Sequence, residues 1–193
     1  MFKIKIRFHL RNVATRVANS VAITAIAVMI SFPTAAQQQG DFSIGLNVLS
    51  GFYADDVIGV GIGPKIRYNV TDQIRLAGEL DFSFGTKSES LATATFGFRD
   101  FSLYGHYLIS IPDKPGMFAY PLVGLGIYRV SMEATVLGFT VVAEPESRTV
   151  ATLGVGVEGS FDKYPNLMYS SEFRLKIHGG THFIVAAGLA YRF

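Results

Sequence analysis

Two carboxylates, Glu158 and Glu172, flank the turn-like stretch DKYPN at residues 162–166. A turn centred on Pro165 puts them opposite each other on neighbouring strands, where like charges repel. Such a pair shares a proton or holds a cation, Arg174 and Arg192 being the nearest candidates. Paired carboxylates can do acid/base work, but no nucleophile or cleft accompanies these two. The glycine-rich runs GVGIG (59–63), GLG (124–126) and GVGVEG (154–159) could cradle a phosphate. A dinucleotide fingerprint needs a strand before it and a helix after it, and these runs continue as strands. With no cysteine in the chain there is no thiolate metal site or disulfide. No cofactor, metal site or catalytic residue is expected.

The elements that carry these residues alternate with a period of two, and no stretch after residue 37 keeps a helical spacing for three turns. Eight strands are predicted, at 42–49, 58–68, 74–84, 99–109, 118–130, 152–161, 169–177 and 183–193. Each has one face of bulky apolar residues, such as Phe42, Ile44, Leu46 and Val48 in the first. The opposite faces carry glycine, alanine and the charged residues Lys65, Arg67, Arg75, Glu79, Asp81, Glu158, Glu172, Arg174, Lys176 and Arg192, with His106 among them. Compact connections (NVTDQ, SIPDKPG, DKYPN) alternate with longer ones, the asymmetry of an outer-membrane barrel. The fold class is therefore all-β: an eight-stranded antiparallel up-and-down transmembrane β-barrel. A water-soluble ligand-binding barrel would also alternate, but inward glycines suit a narrow lumen filled by long charged side chains. Pro64 removes a ladder donor from the second strand, so a bulge is expected there.

Of 17 basic and 15 acidic residues, five basic ones (Lys3, Lys5, Arg7, Arg11, Arg16) fall in residues 1–36, which hold no acid. The remainder has 12 against 15, a net of −3, and presents no basic body to nucleic acid. The basic start, the apolar run VAITAIAVMISF (21–32) and the small residues PTAA read as a signal peptide over 1–36, cleaved after Ala36. Its apolar core is short of the roughly 20 residues that span a bilayer as helix. Residues 37–193 would form the barrel. With no Trp in the chain, Tyr and Phe must supply any interfacial girdle.

The segments YPLVGLGIYRV, NVTDQIRLAGELDFSF and VAAGLAYRF resemble the small eight-stranded outer-membrane β-barrels, the family of outer membrane protein X and the membrane domain of outer membrane protein A. The resemblance implies an assembly signal in the last strand, read by the barrel-assembly machinery, onto which Val185, Ala187, Leu189, Tyr191 and Phe193 map. Some outer-membrane barrels deacylate lipid A with a Ser, a His and an acid. EFRLKIHGGTH offers Glu172, His178 and His182, but Gly179, Gly180 and Thr181 stand where that family has Ser and Asn, and His178 points inward by parity. No enzyme is expected. The expected role is structural or surface-interacting, with the lumen filled by a charge network; the alternative is a narrow channel for small or apolar solutes.

Two further features bear on partners. The segment SMEATVLGFTVVAEPESR (131–148) is too apolar for a solvated loop. Turning at Leu137 and Gly138, it could form a hairpin that continues strands five and six and offers a backbone edge to a surface partner, or it could fold over the barrel mouth. Arg99 and Arg129 share faces with apolar residues and point outward, roughly 25 to 30 Å from the periplasmic end, where the apolar band stops. They are expected to contact outer-membrane lipid, binding lipopolysaccharide phosphates.

Overall fold

The computed structural model describes residues 39–53, 57–89, 92–136, 139–178 and 180–193. The expected signal segment, 1–36, lies outside the described residues.

Among the described residues ten strands run in chain order: β1 (Phe42–Tyr53), β2 (Val57–Asn69), β3 (Ile74–Glu89), β4 (Ala92–Tyr107), β5 (Ile109–Ser110), β6 (Met117–Val136), β7 (Phe139–Val142), β8 (Glu146–Phe161), β9 (Tyr164–Ile177) and β10 (Thr181–Arg192). Eight of them close an antiparallel ring in which each pairs with the next long strand and β10 returns to β1, Ser43 opposite Arg192. Closure leaves the wall of the ring without an edge, as backbone in a bilayer requires. The short β5 and β7 pair only with opposite ends of β6.

Period-two alternation sets the two faces of the wall. In β2, Ile58, Val60, Ile62, Ile66 and Tyr68 are exposed outward, while Lys65, Arg67 and Asn69 are buried inward. Similar outward apolar rows on the other strands form a lipid-facing band. Short turns join the strands at one end. In the turn 70–73, the Thr71 hydroxyl accepts the Gln73 and Ile74 N–H groups. Between β5 and β6 the chain reverses through Asp113 and Gly116 at φ 60° and 80°, a left-handed geometry that glycine adopts without strain.

At the opposite end four strands outgrow the ring. Pairing of β2 with β3 ends at Gly59 and Gly85, and pairing of β6 with β8 ends at Val130 and Glu146. Beyond those rows β3 stays paired with β4 to Glu89, β4 with β6 to Val136, and β6 with β7. The expected loop after the third strand is thus largely a hairpin. Segment 131–148 also places β7 beside β6, Val136 opposite Phe139; the expected turn at Leu137 and Gly138 lies outside the described residues.

Two expectations about register need correction. No extra residue enters at Pro64, which sits opposite Leu46 with β1 and β2 in one continuous register. The β2–β3 ladder skips Gly63 and Pro64 and resumes with Lys65 opposite Glu79 in the same register. The missing N–H therefore costs local pairing rather than a bulge. Glu158 and Glu172 are not opposite each other either. The third short-turn reversal is tighter than expected, lying at Asp162 and Lys163 with Tyr164 already in β9. A bulge then follows, since Phe161 pairs with Tyr164 but Ser160 with Met168, and the two together set Glu158 opposite Ser170 and Glu172 opposite Gly156.

Candidate functional site

The barrel interior holds three groups of ion pairs. Nearest the short turns, Arg75 reaches Glu158 (Nη1 to Oε2, 2.6 Å) and Arg67 reaches the same oxygen at 3.2 Å. Asn69 and Ser170 accept the next N–H of each guanidinium, both at 2.9 Å. At mid-height Lys65 contacts Glu172 and lies 3.4 Å from Glu79. Arg174 bridges the two carboxylates, 2.7 Å from each. The Tyr120 hydroxyl donates to Glu172 at 2.8 Å, and the Asn47 amide to Glu79 at 2.7 Å. Higher still, Lys176 lies 2.9 Å from Asp81 and 3.1 Å from Asp100.

The network is balanced. Lys65, Arg67, Arg75, Arg174 and Lys176 face Glu79, Asp81, Asp100, Glu158 and Glu172, all buried. Balance matters because an unpaired charge in a low-dielectric interior costs several kcal/mol. Arg192, expected in this set, is not in it. It lies at the rim, half-buried, donates to the Pro165 carbonyl at 3.1 Å and is 3.7 Å from Asp41. It shares the ladder row of Ser43 with Arg67, but from the end of β10 its side chain runs to the short-turn rim instead of into the network. Asp100 takes its place; its signal was available, since it neighbours the outward Arg99 and must point inward. His106 is buried inside, stacked on Tyr120 with centroids 4.8 Å apart.

Sequence reasoning missed an apolar layer above the charges. Leu49, Val57, Phe98, Tyr128, Val150 and Ile184 point inward and pack as one buried cluster, with Phe96 and Val130 against it. Tyr128 stacks on His178 (4.5 Å between centroids), whose Nε2 lies 3.3 Å from Nδ1 of His182. Glu172 is bound by Lys65, Arg174 and Tyr120, not by these histidines. Burial, and then the neighbouring Arg148, holds the His178 imidazole below its ordinary range.

On the outside of the wall, Arg99 on β4 stands directly opposite Arg129 on β6, both exposed. Val185, Ala187, Leu189, Tyr191 and Phe193 all face outward. On β7, Phe139, Val141 and Val142 are 79%, 65% and 71% exposed. The Ala143 N–H bonds the Met132 carbonyl at 2.9 Å. Alternation then turns the Val141 N–H towards β6 and those of Thr140 and Val142 away from it.

Among curated proteins none matches the sequence. Among solved structures, the chain is similar to Ail, the attachment invasion locus protein of Yersinia pestis, at 18% identity. That match has a TM-score of 0.53 and covers 81% of this chain and 100% of Ail. Ail in complex with the heparin analogue sucrose octasulfate gives 19% identity, the same coverage and a TM-score of 0.57. A major outer membrane protein from Thermus thermophilus gives 14%, covering 79% of this chain and 99% of that one, with a TM-score of 0.55. At these identities the likeness concerns the fold. The model of the outer membrane protein β-barrel domain family matches residues 21–193, so a closed eight-stranded ring with an apolar outer wall belongs to that family, and the chain is an outer-membrane protein of the Gram-negative type.

Proposed function

We propose that this barrel is a closed surface-interaction protein that displays a β-sheet beyond the membrane and captures an extended segment of a partner by strand addition. The observation that carries this reading is β7. It is a strand bonded on one side only, with large apolar side chains in water and outward N–H groups at Thr140 and Val142. A free, apolar edge of this kind is a template for another strand unless charge, proline or a bulge protects it, and β7 has none of these. Main-chain bonds would supply affinity, and contact with the exposed Phe139 and Val141 side chains would supply selectivity.

The lumen has a mechanical part in this reading. Its ion pairs and the apolar layer above them fill the ring, so the barrel acts as a rigid post and not as a conduit. In an eight-stranded barrel side chains just fill the interior. The charges need neither substrate nor cofactor, because each carboxylate already has a cation.

Two measurements test the halves separately. Purified, refolded protein in a planar bilayer should give no steady openings; regular conductance steps would overturn the closed lumen. Thr140→Pro removes an outward donor from β7 and leaves the ring untouched. Cells displaying that variant, with normal heat-modifiable gel mobility, should attach to host-cell monolayers or to one another no better than cells lacking the protein. Attachment at the wild-type level would overturn the edge reading.

A further inference from the structure

Two guanidinium groups that face each other in an antiparallel pair have their β-carbons about 5 Å apart, and like charges so placed are destabilising. Arg99 and Arg129 are in that arrangement. No ion pair or hydrogen bond among the described residues relieves it. Their outward neighbours across the adjoining strands are Phe82 on β3 and Ser147 on β8, neither of them acidic. The next outward acid on β6 is Glu133, two outward positions further from the membrane. The pair, with Ser131 and Pro145, lines a shallow pocket of about 140 Å³. Ser131 already gives its hydroxyl proton to the Gly97 carbonyl at 3.2 Å, so the two arginines dominate the pocket.

What lies below the pocket selects its ligand. Immediately towards the short turns on the same outward face are Phe101 and Ile127, 48% and 60% exposed, and then Leu103 and Leu125 at 59% and 67%. Short turns of an outer-membrane barrel face the periplasm, so this apolar face meets acyl chains of the outer leaflet. The arginines mark the level at which headgroups begin. A ligand that satisfies both features is an amphiphile with an anion at headgroup height and apolar chains below it. A soluble anion would use only the first.

We infer that Arg99 and Arg129 together form a lipid-facing site for a phosphate on the saccharide headgroup of lipopolysaccharide. Each planar guanidinium can offer a bidentate fork to phosphate oxygens. One anion between them converts their mutual repulsion into two attractions. The site lies on the barrel wall, apart from the β7 edge, so it stands or falls independently of the surface-interaction reading.

Native mass spectrometry of the protein extracted from outer membranes tests the site. The wild type should carry lipopolysaccharide adducts, and an Arg99→Gln, Arg129→Gln double variant should retain about tenfold less, the scale of one lost charge-assisted contact. An Arg99→Lys, Arg129→Lys variant should fall between. Equal retention by wild type and the glutamine variant would overturn the assignment. A second measurement needs no variant. Refolded wild type is melted in phospholipid vesicles containing bisphosphorylated or phosphate-free lipid A, and separately in vesicles without lipid A plus inorganic phosphate. A higher melting temperature with the bisphosphorylated lipid alone supports the site. No difference between the two lipids, or an equal rise with inorganic phosphate, would overturn it.

Discussion

The ring of Tyr120 occupies the space that a side chain at residue 156 would need: a β-carbon on Gly156 would stand 2.5 Å from the ring's Cε2 and 2.7 Å from its oxygen. That ring cannot swing away cheaply, because His106 is stacked on it and its hydroxyl is bonded to Glu172. Gly156→Val should therefore destabilise the barrel by about 1 to 3 kcal/mol, the usual cost of overpacking. Urea unfolding in detergent, followed by heat-modifiable gel mobility, measures it. A variant as stable as the wild type would mean that Tyr120 has room to move.

Arg174 touches three carboxylates in the lumen, Glu172, Glu79 and Asp81. Arg174→Met keeps most of the volume but leaves three buried carboxylates short of positive charge. The expected loss is about 3 to 5 kcal/mol, typical of breaking a buried pair by removing one partner. Replacing Arg148, which pairs with Glu146 in water, should change stability by less than about 1 kcal/mol. Comparable losses for the two would sink the idea that burial sets the energy of these pairs.

Much of this was legible in the residues, for a definite physical reason. Period two fixes which side of the wall a residue occupies, so Lys65, Arg67, Glu79 and Arg174 could be sent inward and Arg99 and Arg129 outward without knowing any partner. What parity cannot supply is height. The opposition of Glu158 and Glu172 depended on where the chain reverses, and a turn nearer β8 combined with a bulge between Ser160 and Phe161 undid it. Arg192 failed in the same way: its position near the last row of the ring put it at the rim. The apolar layer of Leu49, Phe98, Val150 and Ile184 was hidden because its members are apolar on a face otherwise marked by charge.

His178 links stability to pH at the hairpin end. Burial, then the positive Arg148, lowers its affinity for a proton; Asp100 pulls the other way, and Lys176 adds a smaller lowering. A histidine whose folded value is depressed favours the folded state while both states are neutral. Its contribution is therefore present above the ordinary value of 6.5 and is lost as pH falls below it. The readout is amide exchange at Gly180, whose N–H bonds the His178 carbonyl at 2.6 Å. Corrected for intrinsic rates, protection should weaken as the medium passes from neutral to mildly acidic, and His178→Gln should reduce that dependence to the part carried by the neighbouring His182. Equal protection in the two media for the wild type would refute it.

Phe193 is tied into the wall as well as facing outward: its N–H bonds the Phe42 carbonyl at 2.9 Å and the two rings lie 6.1 Å apart. Phe193→Asp should reduce the amount of barrel that reaches the outer membrane in cells severalfold. The same variant refolded from urea into detergent should still close. Normal cellular levels would remove the assembly role assigned to this residue, whereas failure in both settings would make it purely structural.

Three of the lumen's ion pairs join residues far apart along the chain: Arg75 and Glu158 are separated by 83 positions, Arg174 and Glu79 by 95, and Lys65 and Glu172 by 107. No hairpin contains both members of any of these pairs. Until the ring is shut these pairs are open, although Lys65 with Glu79 and Arg174 with Glu172 can meet within one hairpin or one strand. A half-built wall therefore carries charges whose distant partners are missing, which makes its entry into the bilayer costly. Such dominance of distant contacts also makes closure slow, which leaves an exported chain exposed to aggregation and proteolysis for longest just before it becomes one of the hardest structures in the envelope to open.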